Sequence, residues 1–233
     1  PQVVYYTWMM VIFLWLWNIV SNLKLEKFSL KNNGAQLGVI IAGLLISFIV
    51  VMDPYFHVYE FQKHSNRGAK SVLDDTKETF SGTDWNYATQ WSFHPKETIS
   101  FFYPYHYGLQ NFPTRDVKSA AYWGFMPFTQ STHYLGLIVF LFAILGALLR
   151  KPDRFEWYMW VLSGLIILVG FGSYFPVLYK PLYSFAPFFS KFRIPSMIFI
   201  LLAISIPYLA AIGLDKLITT EDKQIVKKKI LWV

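Results

Sequence analysis

The chain has 233 residues, of which 55% are hydrophobic and 15% are charged, and its mean hydropathy is +0.36. A soluble protein of this length has too little interior for so many apolar side chains, so the composition indicates a membrane protein. The chain has no cysteine, which excludes disulfides, thiolate metal sites and a cysteine nucleophile, and its net charge of +7 is assigned to cytoplasmic loops rather than to nucleic-acid binding.

Five apolar stretches predict transmembrane helices, because about 20 helical residues cross the hydrocarbon core and lipid offers the backbone no other partners. They lie at 3–20, 35–52, 134–149, 155–172 and 194–212, and a sixth span is expected to begin at Ile230. Basic residues are concentrated in the loop 21–34, the loop 150–154 and the tail after 212. These three segments share one side if the spans alternate, so we expect them in the cytoplasm.

The long segment 53–133 is then predicted to face outward, as is the turn 173–193. It is polar over 64–84, with a helix expected around 71–80, and dense in aromatic residues over 85–108. The sequence therefore predicts an all-α polytopic membrane protein with one large external segment. Its three parts are two transmembrane helices in 1–52, the external segment 53–133, and three transmembrane helices with a basic tail in 134–233.

The external turn before the fifth predicted span contains the first candidate site. It carries Lys180, Lys191 and Arg193 and no acidic residue. A helix is expected to start at Pro195, and the N–H groups of its first turn, with the Ser196 hydroxyl and the planar guanidinium, suit a lipid phosphate. The alternatives are that Lys191 and Arg193 anchor the helix end among headgroups, or that they form a salt bridge within the protein.

Two acidic residues near the end of the second predicted span are candidate catalytic groups. Asp53 lies at the expected membrane boundary and Glu60 follows it. Asp53 is also suited to begin a turn before Pro54, which is the favoured interpretation. If this segment were helical, Asp53 and His57 would lie one turn apart and could bind a divalent metal ion.

Four aromatic residues of the segment 85–108 are candidates for binding a sugar or an acceptor: Trp91, Tyr103, Tyr105 and His106. Aromatic faces stack on pyranose rings, and Lys96 or Glu97 can bind hydroxyl groups. The alternative is an aromatic belt packed at the membrane interface, which is the commoner role of such rings. The histidines lack the spacing of a zinc site and are interpreted as hydrogen-bonded surface residues.

Four stretches of the chain carry a family resemblance. They are YEFQKHSNRG at 59–68, ATQWSFHPKETISFFYPYHYG at 88–108, YWGFMPFTQSTHYLG at 122–136 and FAPFFSKFRIPSMIFILLAISIPYLAAIGLDKL at 185–217. Together with the opening PQVVYY, they resemble, in the same order, motifs of the bacterial YfhO-like membrane proteins. That family has a fold of the GT-C glycosyltransferase type, so the resemblance implies a GT-C-like arrangement of the predicted helices.

The resemblance implies a multi-pass enzyme of the bacterial cytoplasmic membrane, which transfers sugar from a polyprenyl-phosphate carrier to an envelope acceptor on the outer face. In that scheme Arg193, with Lys191, Ser196 and Lys180, binds the leaving phosphate, whose growing negative charge a cation stabilises. GT-C enzymes keep a catalytic acid in a first external loop, which this sequence lacks. We therefore expect the chain to be an internal piece of a longer protein, inactive alone, with its catalytic base elsewhere.

A second interpretation belongs to a different functional class. The chain would be a non-catalytic integral membrane subunit of a larger complex, whose aromatic helices bind lipids, pigments or neighbouring helices. The first span, with YYTWMMVIFLWLW at 5–17, has more large rings than contact with lipid alone requires. An acidic pair in an upstream external loop would favour the enzyme, and co-purification with other membrane subunits would favour this alternative.

Overall fold

The computed structural model describes residues 2–25, 28–62, 83–108, 122–127, 129 and 133–220. Within these residues the regular structure is helical, with no strand, which confirms the predicted all-α class. The α-helices are α1 Gln2–Lys24, α2 Leu30–Gln62, α3 Trp85–Ala88, α4 Leu137–Leu149, α5 Arg154–Gly170, α6 Pro176–Phe185 and α7 Leu202–Thr219. Short 3-10 helices lie at Pro95–Phe101, Gly172–Tyr174, Phe189–Lys191 and Pro195–Leu201. The helix predicted around 71–80 and the span predicted from Ile230 lie outside the described residues.

Three helical stretches in the described residues are long and apolar enough to cross a membrane: Gln2–Lys24, Leu30–Asp53 and Pro195–Thr219. They correspond to the first, second and fifth predicted spans, and they indicate a membrane-associated protein. The third and fourth predicted spans form α4 and α5, of 13 and 17 residues. Both are shorter than the roughly 20 residues that a perpendicular crossing requires. A total of five spans therefore stays a prediction.

Helix α2 continues past the end of the predicted second span. It has 33 residues, which corresponds to about 50 Å at 1.5 Å per residue. The turn predicted at Asp53 is therefore wrong, because this residue lies inside the helix. A proline at position 54 removes one backbone hydrogen bond, to the carbonyl of Val50, and the bonds on either side keep the helix continuous.

Contacts divide the chain into two compact units, Pro1–Ala88 with Leu182–Phe192 and Thr89–Pro181 with Arg193–Val233. In the first unit, the buried ring of Tyr6 contacts Phe189 and Phe192, with ring centroids 6.2 Å apart in each pair. Thr83 donates to the carbonyl of Ser190 from its backbone N–H and from its hydroxyl, at 3.0 and 2.7 Å. These units are defined by contacts within the folded chain. The predicted parts 1–52, 53–133 and 134–233 were defined by their expected position relative to a membrane, and they remain predictions.

The core of the second unit is built on a close crossing of α4 and α7. A Cβ atom on Gly146 would overlap the Cα of Gly213, and one on Gly213 would overlap the carbonyl of Phe142. Only residues without a side chain allow the two backbones to approach this closely. Helix α5 also packs on α7, and the hydroxyl oxygens of the buried Ser163 and Ser205 lie 2.8 Å apart between them. This arrangement supports the segment that begins at Arg193.

A buried ion pair joins α5 and α7 near the other end of these helices. Lys216 Nζ binds Glu156 Oε2 and also donates to the carbonyl of Arg150 at 3.2 Å. Lys216 and Glu156 are 1% and 6% exposed. The Asp153 side chain accepts from the N–H groups of Phe155 and Glu156, both at 2.8 Å, and so caps the start of α5.

Candidate functional site

The candidate site is built on a turn of the second unit that follows Ala88. The Ser92 hydroxyl donates to the carbonyl of Thr89 at 2.5 Å and accepts from the N–H of Ser173 at 2.9 Å. The N–H of Phe93 donates to the carbonyl of Gly170 at 3.0 Å. These bonds attach the turn to the end of α5, so the turn is anchored by residues about 80 positions away in the chain.

Close backbone contacts bring the 3-10 helix Pro195–Leu201 next to this turn. Gly172 has a φ of +51°, in the left-handed region that favours glycine. A Cβ atom there would overlap the Ser92 hydroxyl and press on the ring of Pro195. On the neighbouring turn, a Cβ on Gly170 would overlap the ring of Phe199. Two glycines therefore allow the 3-10 helix Pro195–Leu201 to pack against the turn.

Arg193 lies at the centre of this arrangement. Its Nη2 donates to Oε1 of Gln90, and its guanidinium carbon lies 4.5 Å from the centroid of the Trp91 ring. The hydrogen bond holds one edge of the guanidinium and the indole holds one face, so its plane is oriented. Neither the amide nor the indole carries a formal charge, so these two contacts position the guanidinium without neutralising it.

Two residues of the site have strained backbone conformations. Trp91 has a φ of 58° and Ile194 a φ of 64°, in the left-handed region that residues with a Cβ seldom adopt. A β-branched residue such as Ile194 is a marked outlier there, and each such residue costs about 1–3 kcal/mol. One of them contacts Arg193 and the other follows it directly. Strain of this kind concentrates at functional sites, so it supports a functional role for these residues.

The other predicted phosphate-binding residues have different surroundings. Ser196 is 4% exposed, in the first turn of the 3-10 helix that follows Arg193. A helix starts at Pro195, as predicted, and its first turns have the tighter 3-10 pattern, with Met197 N–H donating to the carbonyl of Ile194 at 3.1 Å. Lys180 is exposed on α6. Lys191 belongs to the first unit, where its Nζ lies 5.9 Å from the Phe188 ring centroid.

The four predicted sugar-binding residues also fall into different settings. Trp91 packs against Arg193, as described above. Tyr103 and Tyr105 are 60% and 70% exposed. His106 contacts Trp123, with ring centroids 5.6 Å apart. A platform that includes all four side chains therefore remains a prediction, whereas Trp91 is part of the arginine site.

The predicted acidic and metal-binding residues lie on the exposed last turns of α2. His57 Nε2 is 3.8 Å from Asp53 Oδ1, and their side chains are 73% and 93% exposed. Glu60 is exposed on the same helix. The segment is helical, as an Asp53–His57 pair one turn apart requires. Two side chains are a sparse ligand set, and no group of three metal-binding side chains occurs in the described residues. A divalent metal ion stays a prediction here.

Sequence reasoning missed Gln90, which contacts Arg193, and gave Glu97 only a general role in binding hydroxyl groups. Glu97 is 2% exposed and accepts from the Tyr122 hydroxyl at 2.7 Å and from the N–H of Phe125. Nearby, burial lowers the pKa of His133 to about 4. The only signal in the sequence was an ionisable residue within a dense aromatic stretch. The contact of Arg193 with Gln90 and those of Glu97 with Tyr122 and Phe125 could not be inferred, because the partners lie many residues apart in the chain.

Fold and site together define an all-helical, membrane-associated protein with an oriented arginine in its second unit. No protein-family model, no curated protein and no solved structure matches the chain. The resemblance to the YfhO-like family, and with it the GT-C-like fold, therefore stays a prediction.

Proposed function

We propose that this protein binds the phosphate of a polyprenyl-phosphate-linked sugar at Arg193 and transfers the sugar to an envelope acceptor on the outer face of the bacterial cytoplasmic membrane. The observation that carries the proposal is the guanidinium held between Gln90 and Trp91. The transfer reaction itself is drawn from the resemblance to the YfhO-like family. The catalytic base is assigned to no residue of the described chain.

The oriented guanidinium is suited to a phosphate for a geometric reason. Its planar fork can give two parallel hydrogen bonds to two phosphate oxygens, which a lysine ammonium cannot do. When the bond between sugar and phosphate breaks, negative charge grows on the leaving phosphate. A guanidinium oriented beforehand stabilises that charge without first having to be positioned. Gln90 and Trp91 would supply this orientation.

The position of Arg193 in the chain supports a lipid-borne ligand. It lies two residues before Pro195–Thr219, which is long and apolar enough to cross a membrane. A side chain at the end of such a span lies at headgroup depth, where the phosphate of a membrane lipid also lies. We propose that this end faces outward, with α4 and α5 as two further spans of a five-span, GT-C-like protein.

Binding of polyprenyl monophosphate to the purified protein in detergent micelles tests the proposal. We expect Arg193→Ala to weaken binding roughly 10- to 100-fold, since hydrogen bonds to charged groups contribute about 1.5–3 kcal/mol. Arg193→Lys should recover only part of the affinity, because the planar fork is lost. Arg150→Ala is the matched control, as it removes an exposed arginine of the same unit.

Two further comparisons separate the phosphate from the lipid chain. Polyprenol of the same length lacks the phosphate, so it should bind the wild-type protein more weakly than polyprenyl monophosphate does. The affinity of polyprenol should be the same for the wild type and for Arg193→Ala. Equal binding of polyprenol and polyprenyl monophosphate by the wild type would contradict the phosphate site. Transfer of labelled sugar from a polyprenyl-phosphate donor, in membranes that contain the protein, tests the reaction separately.

A second candidate function is that of a non-catalytic subunit, which α1 and α2 favour. They contact each other through Trp8 against Gly43 and through the Trp15 indole N–H, which donates to the carbonyl of Asn33 at 3.1 Å. Only 6% of the apolar window of α1 and none of that of α2 is buried, against half for Pro195–Thr219. Such faces suit lipids or helices of other subunits. Gentle solubilisation followed by native mass spectrometry would reveal a larger complex.

A further inference from the structure

A short aromatic turn of the first unit, residues 185–192, leaves two large rings outside the fold. Phe185 is 86% exposed, more than any other large hydrophobic side chain of the described residues, and Phe188 is 66% exposed. Phe189, the next residue, is 0% exposed. Neighbouring phenylalanines of one turn therefore have opposite surroundings. Two exposed rings this close together indicate a contact surface, because apolar area left in water is unfavourable.

The exposed ring of Phe188 belongs to a hydrogen-bonded turn and not to a loose end. Its φ of 62° is in the left-handed region, which residues with a Cβ seldom adopt. Its carbonyl accepts from the N–H of Lys191 at 3.1 Å, and the N–H of Phe189 donates to the carbonyl of Ala186 at 3.2 Å. The backbone therefore fixes which ring of the aromatic turn is buried and which is exposed.

The buried side of the aromatic turn packs on the first turns of α1. The ring centroids of Phe189 and Phe192 lie 6.1 and 5.0 Å from that of Tyr5. Both rings also contact Tyr6, as described above. All of these residues belong to the first unit. The contacts therefore attach the aromatic turn to the N-terminal end of a helix that is long and apolar enough to cross a membrane.

The length of α1 determines how deep the aromatic turn would lie in a membrane. Its 23 residues correspond to about 35 Å, and the hydrocarbon core of a bilayer is about 30 Å thick. A helix of this length that crosses the bilayer has its ends at headgroup level. Phenylalanine side chains of interfacial segments enter the boundary between headgroups and acyl chains at this level. The outer rings of the aromatic turn are suited to that boundary.

A cation accompanies the exposed rings. Lys191 Nζ lies 5.9 Å from the centroid of the Phe188 ring. A lysine in such a position can keep its apolar stem on the ring and its ammonium group among lipid phosphates. The aromatic turn, with the sequence FAPFFSKF, has no acidic residue. Its charge therefore complements a phospholipid surface.

We infer that the aromatic turn inserts into the bilayer next to α1. Phe185 and Phe188 enter the boundary between headgroups and acyl chains, and Lys191 lies at the phosphates. The partner is the lipid surface itself and not a soluble ligand or another protein. The two sides of the turn then have different roles, because the buried side holds α1 and the exposed side holds lipid.

Spin labels measure the depth of single side chains, and the chain has no cysteine that would compete for the label. Phe185→Cys and Phe188→Cys are each labelled with a nitroxide and reconstituted in bilayers of phosphatidylethanolamine and phosphatidylglycerol. Oxygen concentrates in lipid, whereas a neutral nickel complex stays in water. The ratio of oxygen collisions to nickel collisions with the label therefore increases with depth in the bilayer.

Two positions of α2 calibrate this collision ratio. Ile41→Cys is 47% exposed near the middle of the apolar stretch Leu30–Asp53 and gives the value for lipid. Glu60→Cys is exposed about 10 Å beyond the end of that stretch and gives the value for water. We expect the labels at positions 185 and 188 to give a ratio several-fold above that of Glu60→Cys and below that of Ile41→Cys.

Ser184→Cys tests whether the two rings cause the insertion, because this label leaves both rings in place. Ser184 is exposed and directly precedes Phe185. Adding Phe185→Asp and Phe188→Asp should lower the collision ratio of this label to that of Glu60→Cys, since carboxylates are costly to place in lipid. Leucine at the same two positions is the matched control and should keep the ratio. A ratio that the two aspartates leave unchanged would contradict the inference.

Three results at positions 185 and 188 would also overturn the inference. A collision ratio equal to that of Glu60→Cys would place both rings in water. Few collisions with either oxygen or nickel would mean that another part of the protein covers them. Spectral broadening that disappears on dilution with unlabelled protein would mean that a second copy of the chain covers them. None of these results depends on phosphate binding by Arg193, so this inference and the proposed function fail independently.

Discussion

The guanidinium of Arg193 stacks on the indole of Trp91, with its central carbon 4.5 Å from the ring centroid. Trp91 itself has a left-handed backbone conformation, and so does Ile194, the residue that follows Arg193. The hydrogen bond from Arg193 to Gln90 joins positions 103 residues apart. Local backbone strain and an oriented cation therefore occur together, directly before an apolar helix.

Trp91→Ala should weaken the binding of polyprenyl monophosphate while leaving the protein folded. A cation–π contact contributes about 0.5–2 kcal/mol, so we expect a loss of roughly 3- to 30-fold in affinity. Trp91→Phe should lose less, because a ring remains under the guanidinium. Trp123→Ala removes an equally large ring that is 64% exposed, and it serves as the control. Unchanged affinity in Trp91→Ala would mean that the stack does not orient Arg193.

Ile194→Gly should separate strain from function. Relief of the left-handed strain, about 1–2 kcal/mol, roughly offsets the extra chain entropy of glycine, so stability should change little. Phosphate binding should weaken, because Arg193 loses a restrained neighbour. The matched control is Ile204→Gly inside α7, which should cost about 1 kcal/mol or more in stability and leave binding unchanged. A large loss of stability in Ile194→Gly would contradict the prediction.

Gly213→Ala should destabilise the second unit through the crossing of α4 and α7. The added methyl group would overlap the carbonyl of Phe142, and backbone atoms cannot move aside as a flexible side chain can. Overpacking of this kind typically costs about 1–3 kcal/mol, which thermal unfolding in detergent would detect. Gly164→Ala, on α5 with open space around it, is the control and should be neutral or stabilising.

The stability of the protein should fall as the pH decreases from about 6.5 to about 4, in part because of His133. Its pKa in the folded protein is about 4, below the ordinary value of 6.5. The unfolded chain therefore binds this proton first as the pH decreases, which favours unfolding until the folded state also binds it. The contribution is fully present above about pH 6.5 and is lost progressively below that.

His133→Phe isolates this effect, because it retains a ring in contact with Phe93 and Phe199 and cannot titrate. The melting temperature of the variant should depend less on pH between about 6.5 and 4 than that of the wild type. His106→Phe, at an exposed position, should keep the wild-type dependence. Parallel pH profiles for the wild type and His133→Phe would show that this histidine is not buried as a neutral ring.

The composition and the lengths of the apolar stretches were enough to predict the helical class and apolar helices at 3–20, 35–52 and 194–212. These correspond to Gln2–Lys24, Leu30–Asp53 and Pro195–Thr219 in the structure. The reason is local: an apolar backbone segment satisfies its own hydrogen bonds only as a helix. Arg193 could also be identified as a candidate binding residue, since an arginine just before such a helix is a local sequence pattern.

The partners of these residues depend on the folded chain. Gln90 reaches Arg193, Tyr122 reaches Glu97 and Gly146 meets Gly213 across long stretches of chain, and no sequence spacing relates the members of these pairs. Asp53 lies in a helix and not in a turn, because the backbone hydrogen bonds of the flanking residues outweigh the one that is lost at position 54. Contacts of this kind form when distant segments pack, so they follow from the geometry of packing and not from local preference.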